Sequence, residues 1–372
     1  MYSIVAMKKL NIAIIFGGRS GEHEVSLVSA SSVINALDNK KYTIIPIGIT
    51  KDGLWFSGKN VLGNFKKGQF KKLSKVILGV DPKKPGILIG NKYVKVDVVF
   101  PVLHGPYGED GTIQGMLEMA GLPYVGCGVL ASSLAMDKFV SKMVFASYGL
   151  PQANFVQVTR KHIDRDIKKV VKLVTEKIGY PCFVKPSNMG SSVGISKVKK
   201  QSQLAYALRL AADFDSSIII EEGINAREIE CAVLGNDDLI ASVAGEIIPS
   251  REFYDYYAKY VDNSSKLLLP SPISEEKMLE VKDLATKAFR AISGSGMGRV
   301  DFLMDKKTGK LYLNEINTIP GFTSISMYPK LMAASGIPYT ELLDRLIKLA
   351  IERYKEKLKN KVSFDSGSSW YK

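Results

Sequence analysis

The chain has 372 residues, of which 46% are hydrophobic and 24% are charged. These proportions are typical of a soluble globular protein, and the length allows two or three domains with large cores. No apolar run approaches the roughly 18 residues that a membrane-spanning helix needs. The sequence therefore predicts no membrane-spanning helix, and we expect no membrane partner.

The net charge of +14 raises the question of a nucleic-acid partner. Residues 51–100 contain eleven lysines against three aspartates, which accounts for +8 of the excess. This lysine-rich stretch carries no recognisable DNA- or RNA-binding motif. We expect a solvated basic face, or a surface that attracts anionic substrates, and no nucleic-acid partner.

The three cysteines, Cys127, Cys182 and Cys231, are far apart and form no Cys-x-x-Cys pair. The pattern disfavours a disulfide framework or a zinc site and favours the reducing cytoplasm. At the start of the chain, charges follow the apolar residues, which is the reverse of a signal peptide. Met7 is an alternative natural first residue.

The first third of the chain predicts a parallel sheet wrapped in helices, up to about residue 128. Asn11–Gly18 is a continuous apolar run that ends in glycines, as in a buried parallel strand. Glu24–Leu37 has helical spacing, and the next predicted strands are Tyr42–Ile49 and Val96–Leu103.

Two polar segments lie at the carboxyl ends of these strands, where ligands of parallel sheets gather. The turn Gly17–Ser26 begins a helix, so its backbone amides and the helix dipole favour an anion. It lacks the Gly-x-Gly-x-x-Gly spacing of a dinucleotide site, and Glu22 is alternatively only a residue favoured at a helix start. His104 follows the third strand, and a lone histidine is more often structural than catalytic.

The middle of the chain predicts a helix over Met136–Tyr148 and then a small α+β unit. Its predicted strands are Phe155–Val158, Pro181–Lys185, Gly194–Val198 and Ser217–Glu221. The loop Lys185–Gly194 is not a P-loop, but its lysine, serines and glycines suit a lid over phosphates, the alternative being a solvated hairpin loop. Lys138 is a second candidate phosphate ligand, or only a charge on the helix surface.

Two further segments each have two interpretations. Glu221–Glu228 is either exposed charge or a hinge that contacts a nucleotide base and ribose. The aromatic-rich Phe253–Tyr260 is either a packed loop or a loop that closes over an active site. The remaining predicted elements are strands at Ile229–Leu234 and Leu239–Glu246, a helix over Ser274–Ile292, a closing amphipathic helix to about Tyr354 and a loose tail from Ser363.

A β-hairpin is the most informative predicted element. Two alternating segments, Arg299–Met304 and Leu311–Asn317, flank a turn. Asp301 then lies directly across from Glu315, and Asn317 shares the face of Glu315. Two carboxylates a few ångströms apart need a cation, and an all-oxygen set suits Mg²⁺. The alternative is a surface hairpin whose acids are solvated.

Taken together and in this order, the motifs resemble those of the D-alanine:D-alanine ligases of the ATP-grasp superfamily. They are Gly-Gly-x-Ser-x-Glu-x-Glu-Val-Ser, His-Gly-x-x-Gly-Glu-Asp-Gly-Thr-x-Gln-Gly, Met-Asp-Lys, Lys-Pro-Ser-x-x-Gly-Ser-Ser-Val-Gly, Phe-Tyr-Asp-Tyr-x-Ala-Lys-Tyr, Arg-x-Asp and Asn-Glu-Ile-Asn-Thr-x-Pro-Gly. The resemblance implies an α/β protein, with an N-terminal parallel α/β domain (1–128) before a two-part ATP-grasp module of α+β subdomains. These are a central lid (129–226) and a C-terminal catalytic part with the metal site and closing helix (227–372).

The resemblance also implies the reaction and its residues. ATP phosphorylates the carboxylate of one D-alanine, and the amine of a second attacks the acylphosphate, giving D-alanyl-D-alanine for peptidoglycan synthesis. Catalytic roles are implied for Glu22, Ser191, Tyr260, Arg299 and Ser326, and further substrate contacts for His104 and Gly321. ATP-binding roles are implied for Lys138, Lys185, Glu221, Glu222, Ile224, Glu228, Phe253 and Lys259. Two Mg²⁺ or Mn²⁺ ions are implied at Asp301, Glu315 and Asn317.

Three functions stay open at this point. The first is the D-alanine:D-alanine ligase. The second is another ATP-grasp carboxylate–amine ligase, including users of D-lactate, although Tyr260 favours the dipeptide because some D-lactate relatives lack it. Gly223 departs from the resemblance, since family members often carry a bulky residue there. A nucleic-acid-binding or regulatory protein is the third reading. D-Alanine and ATP are the expected ligands, and a homodimer is left open.

Overall fold

The structure is a computed structural model that describes residues 9–248, 266–361 and 363. The predicted loop Phe253–Tyr260, the alternative start at Met7 and nearly all of the predicted tail lie outside the described residues. The described residues form three sheets. None of the helices within them is long and apolar enough to cross a membrane.

The first sheet has the strand order β6-β5-β4-β3-β2-β1-β7. Its strands are β1 Leu10–Gly17, β2 Tyr42–Ile49, β3 Trp55–Ser57, β4 Ser74–Leu78, β5 Gly86–Ile89, β6 Lys92–Lys95 and β7 Val98–Val102. β1 pairs in parallel with β2 and with β7, which confirms the predicted parallel core. The lysine-rich stretch adds the antiparallel strands β3 to β6, which the sequence did not predict. β4, β5 and β6 follow one another through connections too short for the crossover that parallel pairing needs.

The helices around this sheet are α1 His23–Ala36, α2 Val61–Lys66 and α3 Thr112–Met119. The next two helices, α4 Val129–Met136 and α5 Lys138–Ser147, share a hydrophobic core with strands of the third sheet. The single helix predicted from Met136 to Tyr148 is wrong at its start, because Asp137 is extended and separates α4 from α5. The Asp137 carboxylate accepts hydrogen bonds from the backbone N–H groups of Phe139 and Val140, both at 3.0 Å. This cap fixes the position at which Lys138 begins α5.

The second sheet has the order β10-β9-β11-β8 and is antiparallel throughout. Its strands are β8 Phe155–Thr159, β9 Cys182–Pro186, β10 Ser196–Val198 and β11 Ser217–Glu222. The helical segments α6 Arg160–Lys177 and α7 Gln201–Phe214, which the sequence analysis did not predict, pack on it. Apolar residues of both helices, including Val174 and Leu204, form one core with Ile218 of β11.

The third sheet has the order β14-β13-β12-β15-β16 and contains the predicted hairpin. Its strands are β12 Ala226–Gly235, β13 Ile240–Ile248, β14 Lys266–Leu268, β15 Gly296–Asp305 and β16 Leu311–Asn317. Three helices accompany it, namely α8 Glu275–Ala291, α9 Met327–Ala334 and α10 Tyr339–Lys357. The predicted helix from Ser274 is confirmed, and the Ser274 hydroxyl caps it by accepting from the Lys277 backbone N–H at 3.2 Å.

Residues of the first and third sheets share one hydrophobic core, which includes Phe100 of β7, Leu234 of β12 and Phe322. Phe322 is fully buried, and its ring centre lies 5.8 Å from those of Phe100 and Tyr328. The core therefore holds the carboxyl end of β7 against the segment that follows β16.

Replacing Phe322 with alanine should destabilise this junction. Loss of a buried phenylalanine in a core costs about 3–5 kcal/mol of unfolding free energy, which urea denaturation measures. Ile77→Ala is the control, because Ile77 is 60% exposed and such a change costs less than about 0.5 kcal/mol. Equal losses in the two variants would contradict the role given to Phe322.

Candidate active site

A cavity of about 500 Å³ lies among residues from the regions of all three sheets. The predicted site residues that line it are Glu22, His104, Lys138, Ser191, Arg299, Glu315, Asn317, Gly321 and Ser326. Six other candidates do not line it, namely Lys185, Glu221, Glu222, Ile224, Glu228 and Asp301. Phe253, Lys259 and Tyr260 lie outside the described residues. Segments far apart in sequence thus meet at one cavity.

The hairpin places Asp301 directly opposite Glu315, as predicted. Beside the turn, Met304 pairs with Leu311, and the register shifts between Asp301 and Phe302. Without that shift, Asp301 would face Asn314. The bulge therefore brings the two carboxylates together, in keeping with the frequent occurrence of bulges beside active sites.

Arg299 is held by two carboxylates. Its Nε and Nη2 each donate to one oxygen of Asp301 at 2.7 Å, which makes a bidentate pair. Its Nε also lies 3.0 Å from Oε2 of Glu230, which faces Asp301 across β12 and β15. The guanidinium lies at the cavity wall with its charge balanced from within the sheet.

The acids of the hairpin offer a partial set of ligands for a divalent cation. Asn317 Nδ2 donates to Asp301 Oδ2 at 2.9 Å, and Glu315 lies 3.9 Å from the Lys138 ammonium. Within the described residues, no three His, Cys, Asp or Glu side chains are grouped to hold a metal. Two carboxylates and an amide oxygen fit Mg²⁺, which takes few protein ligands and fills its shell with water and phosphate oxygens.

The Glu22 carboxylate links the turn Gly17–Ser26 to the loop after β9. Ser191 Oγ donates a short hydrogen bond to Glu22 Oε1. A Cβ atom on Gly190 or on Gly105 would lie 2.9 or 2.8 Å from Glu22 Oε2, so both backbone segments lie close to the carboxylate. Gly105 also has a φ of +74°, a conformation that side chains with a Cβ rarely adopt.

Three lysines and Glu221 form a buried charged group beside the cavity. Lys185 Nζ donates to Glu221 Oε2 at 2.8 Å, and Lys142 Nζ lies 3.5 Å from Glu221 Oε1. Burial alone would raise the pKa of the Glu221 carboxyl, but the charges of Lys142 and Lys185 lower it to about 2. Lys138 Nζ donates to the Met189 carbonyl at 2.7 Å. Lys138 thus contacts the loop after β9, and Lys185 lies on β9 itself.

The segment after β11 leaves little space for a side chain at Gly223. A Cβ atom there would lie 2.8 Å from the Pro181 carbonyl oxygen, which explains why this chain has glycine where a bulkier residue was expected. Glu222 accepts hydrogen bonds from the backbone and side-chain nitrogens of Asn154 at 3.1 and 2.8 Å. Ile224 and Glu228 are half-buried.

His104 is buried beneath the cavity and bridges two regions of the chain. Its Nδ1 donates to the Ile319 carbonyl at 3.1 Å, so Nε2 accepts from Ser29 Oγ at 3.2 Å. Burial lowers the pKa of His104 below its ordinary value. The imidazole is therefore neutral at pH 7 and links the end of β7 to the segment after β16.

Ser326 lies at the start of α9 on the other side of the cavity. Its hydroxyl accepts from the Thr323 backbone N–H at 3.0 Å and bonds the Thr323 hydroxyl at 2.8 Å. A Cβ atom on Gly321 would lie 2.6 Å from Ser326 Oγ, so the Gly321 backbone is within close reach of this hydroxyl.

Three charged residues near the cavity were absent from the sequence prediction, namely Glu109, which is half-buried, and the buried Lys142 and Glu230. Each had a signal in the sequence. Glu109 belongs to the His104–Gly111 motif, Lys142 lies four residues after Lys138 on one helix face, and Glu230 shares a strand face with Glu228.

Glu109 is a cavity-lining acid whose pKa is raised. Its two oxygens accept from the backbone N–H groups of Gly105 at 2.8 Å and Ile319 at 3.2 Å. Burial, and then the negative charge of Glu22, raise the pKa of Glu109 to about 8. Glu109 is therefore protonated at neutral pH in the folded chain.

Comparisons with known proteins give a consistent result. The family described as "D-ala D-ala ligase N-terminus" matches residues 11–127, and "D-ala D-ala ligase C-terminus" matches residues 144–348. A D-alanine--D-alanine ligase of Heliobacterium modesticaldum is 54% identical over 95% of this chain and 98% of that protein. A D-alanine--D-alanine ligase of a Thermoanaerobacter species is 55% identical over 94% and 99%, respectively.

Solved structures agree with this fold. The VanG D-Ala:D-Ser ligase from Enterococcus faecalis has a TM-score of 0.84 and 40% identity, over 92% of this chain and all of that one. A D-alanine-D-alanine ligase from Coxiella burnetii also has a TM-score of 0.84, with 36% identity over 94% of this chain and 96% of that one.

The raised pKa of Glu109 makes stability depend on pH. The folded chain keeps a proton that the unfolded chain loses above the ordinary value of 4.5. This contribution is therefore complete below that value and is lost as the pH rises towards 8, at up to about 1.4 kcal/mol per pH unit.

Glu109→Gln should remove this dependence. Between pH 5 and 8, the unfolding free energy of the unchanged chain should fall relative to that of the variant, as measured by urea denaturation at several pH values. Glu176→Gln, at an exposed residue of α6, is the control. Parallel pH curves for the unchanged chain and Glu109→Gln would exclude a raised pKa at Glu109.

Proposed function

The chain belongs to the D-alanine--D-alanine ligase family, and on that basis we propose that it joins two D-alanines through an acylphosphate, with ATP converted to ADP and phosphate. The observation that carries the proposal is that Glu22, Ser191, Arg299 and Ser326 line one cavity. A carboxylate is a poor electrophile, and phosphorylation gives it a leaving group. The product serves cell-wall synthesis, as the family implies.

The first step needs the terminal phosphate of ATP to be held beside the carboxylate of the first D-alanine. We assign the phosphates to Lys138, which contacts the loop after β9, to Lys185 on β9, and to Lys259. The family uses ATP and a divalent metal ion, and we propose Mg²⁺ or Mn²⁺, with two ions, at Asp301, Glu315 and Asn317. Bound there, the ions neutralise phosphate charge, on which phosphoryl transfer mainly depends.

The nucleoside part of ATP is assigned to the segment Glu221–Glu228, beside Lys142 and Lys185. Glu221 and Glu222 end β11, and Ile224 and Glu228 follow them. The fixed charge of Glu221 suits a hydrogen bond to the amino group of an adenine ring. Phe253 is assigned to the same nucleotide.

The first D-alanine is assigned to the side of the cavity at Glu22. The Glu22 carboxylate suits the substrate ammonium group, and neutral His104 lies on the same side. The hydrogen bond from Ser191 closes the loop over it, and Tyr260 is assigned to the same latch. Closure excludes water, which would otherwise hydrolyse the acylphosphate.

The second D-alanine is assigned to the opposite side. Ser326 and the Gly321 backbone suit its carboxylate, which leaves its amine to attack the acylphosphate carbon. The attack creates an oxyanion, and Arg299 is a half-buried cation at the cavity wall that can stabilise it. Expulsion of phosphate then leaves the peptide bond.

A second candidate function differs only in the second substrate. The VanG D-Ala:D-Ser ligase shares 40% identity with this chain, so the fold also accommodates D-serine in a relative. D-Lactate is a further alternative. The residues assigned to the activation of the first substrate would serve all three reactions.

The cytoplasm is the proposed location, because all three cysteines are free and buried, as expected in a reducing compartment. A homodimer stays a prediction.

A product assay tests the proposed function. With ATP, Mg²⁺ and D-alanine alone, we expect one D-alanyl-D-alanine for each phosphate released, with L-alanine as the inactive control. Added D-serine or D-lactate should yield little mixed product. Phosphate release that does not depend on D-alanine would contradict the proposal, and a dominant mixed product would favour the second candidate.

Arg299→Ala should separate binding from chemistry. Loss of one oxyanion-stabilising group lowers turnover by about 10²–10³-fold, while ADP affinity, measured by calorimetry, stays close to that of the unchanged chain. Arg345→Ala is a matched control, because Arg345 pairs with Glu341 on α10. An equal loss of ADP affinity and turnover would contradict the assignment.

A further inference from the structure

Glu230 is a buried acid at the cavity wall to which no role has yet been given. It lies on β12 and is 6% exposed. Glu230 faces Asp301, which in turn faces Glu315, so three carboxylates form one row across β12, β15 and β16. The row lies on the same face as the cavity, which Glu230 and Glu315 both line.

Arg299 is the cation between the first two members of this row. It makes two bonds of 2.7 Å to Asp301 and one contact of 3.0 Å to Glu230. With 18% of its side chain exposed, the guanidinium would be poorly placed without a carboxylate partner. A buried charge that loses its only partner is strongly destabilised.

Asp301 has two competing partners in the proposed function. Both of its oxygens are bonded to Arg299, and one also accepts from Asn317. A divalent cation at Asp301 needs at least one of the same oxygens. Coordination therefore weakens the pair with Arg299, and Glu230 is the carboxylate that remains beside the guanidinium.

We infer that Glu230 is a positioning residue that keeps Arg299 aimed into the cavity while Asp301 binds the divalent cation. The inference rests on the proposed function and deepens it. It explains why the arginine has two carboxylate partners on neighbouring strands. It also links cation binding at Asp301 to the placement of the residue that serves the second step.

A Mn²⁺ titration tests, without turnover, whether Arg299 and the divalent cation compete for Asp301. The full chain is titrated with Mn²⁺ in the presence of ADP, and free Mn²⁺ is followed by electron paramagnetic resonance. In the Glu230→Asp variant the negative charge is kept, but the side chain is one methylene too short to reach Arg299. Arg299 then stays paired with Asp301 and competes with the cation for its oxygens. We expect the Mn²⁺ dissociation constant to rise about tenfold, the value of one charged hydrogen bond.

Glu246→Gln is the matched control for this titration. Glu246 is also buried and paired with an arginine, Arg227, at 2.8 Å, but it faces Ile229 on the other side of the sheet. The Glu246→Gln variant should bind Mn²⁺ with the affinity of the unchanged chain. Unchanged affinity in Glu230→Asp would overturn the inference, as would equal weakening in Glu246→Gln.

A double-mutant cycle shows whether Glu230 acts through Arg299. Glu230→Gln alone should lower dipeptide turnover about 10- to 100-fold, less than the 10²–10³-fold loss for removal of an oxyanion-stabilising group outright, and should form less than one dipeptide per phosphate. In the Arg299→Ala background it should have no further effect on turnover. If the turnover losses of the two single variants multiplied in the double variant, the inference would be overturned and the ligase function would stay intact. Failure of the unchanged chain to form the dipeptide would instead refute the ligase function itself.

Discussion

A row of three acidic side chains across neighbouring strands is the constraint on which the site depends. Glu230, Asp301 and Glu315 face one another on β12, β15 and β16, and directly opposed like charges destabilise a sheet. Positive charge must compensate them, and Arg299 and Lys138 lie beside the row. The groups that neutralise the sheet are thus the groups to which we assign the chemistry. Replacement of any one of them changes both the fold energy and the site.

The remainder of the site is brought to this row by close backbone contacts. The loop at Gly190 and the segment after β7 at Gly105 both lie close to the Glu22 carboxylate. His104 and Glu109 each bond Ile319, which follows the hairpin. Because these contacts join segments from different sheets, the cavity forms only when the sheets are assembled. That arrangement suits a reaction in which water must be excluded.

The sequence predicted the parts of the site that depend on local periodicity. The hairpin and the pairing of Asp301 with Glu315 followed from alternation in two short segments, although the bulge that produces this register was not foreseen. Glu230 was missed because its partner lies in a strand about 70 residues away, and pairing between distant strands leaves no local pattern. Asp137 was missed as a helix boundary because the apolar spacing continues across it. The domain boundaries and the residue roles stay predictions.

The central claim is that the carboxylate of the first D-alanine becomes an acylphosphate before the peptide bond forms. D-Alanine labelled with ¹⁸O in its carboxylate tests this directly, because the oxygen that attacks ATP leaves with the phosphate when the amine attacks. Mass spectrometry of the released phosphate should find one ¹⁸O atom in each molecule. Phosphate without ¹⁸O, formed together with the dipeptide, would contradict the account.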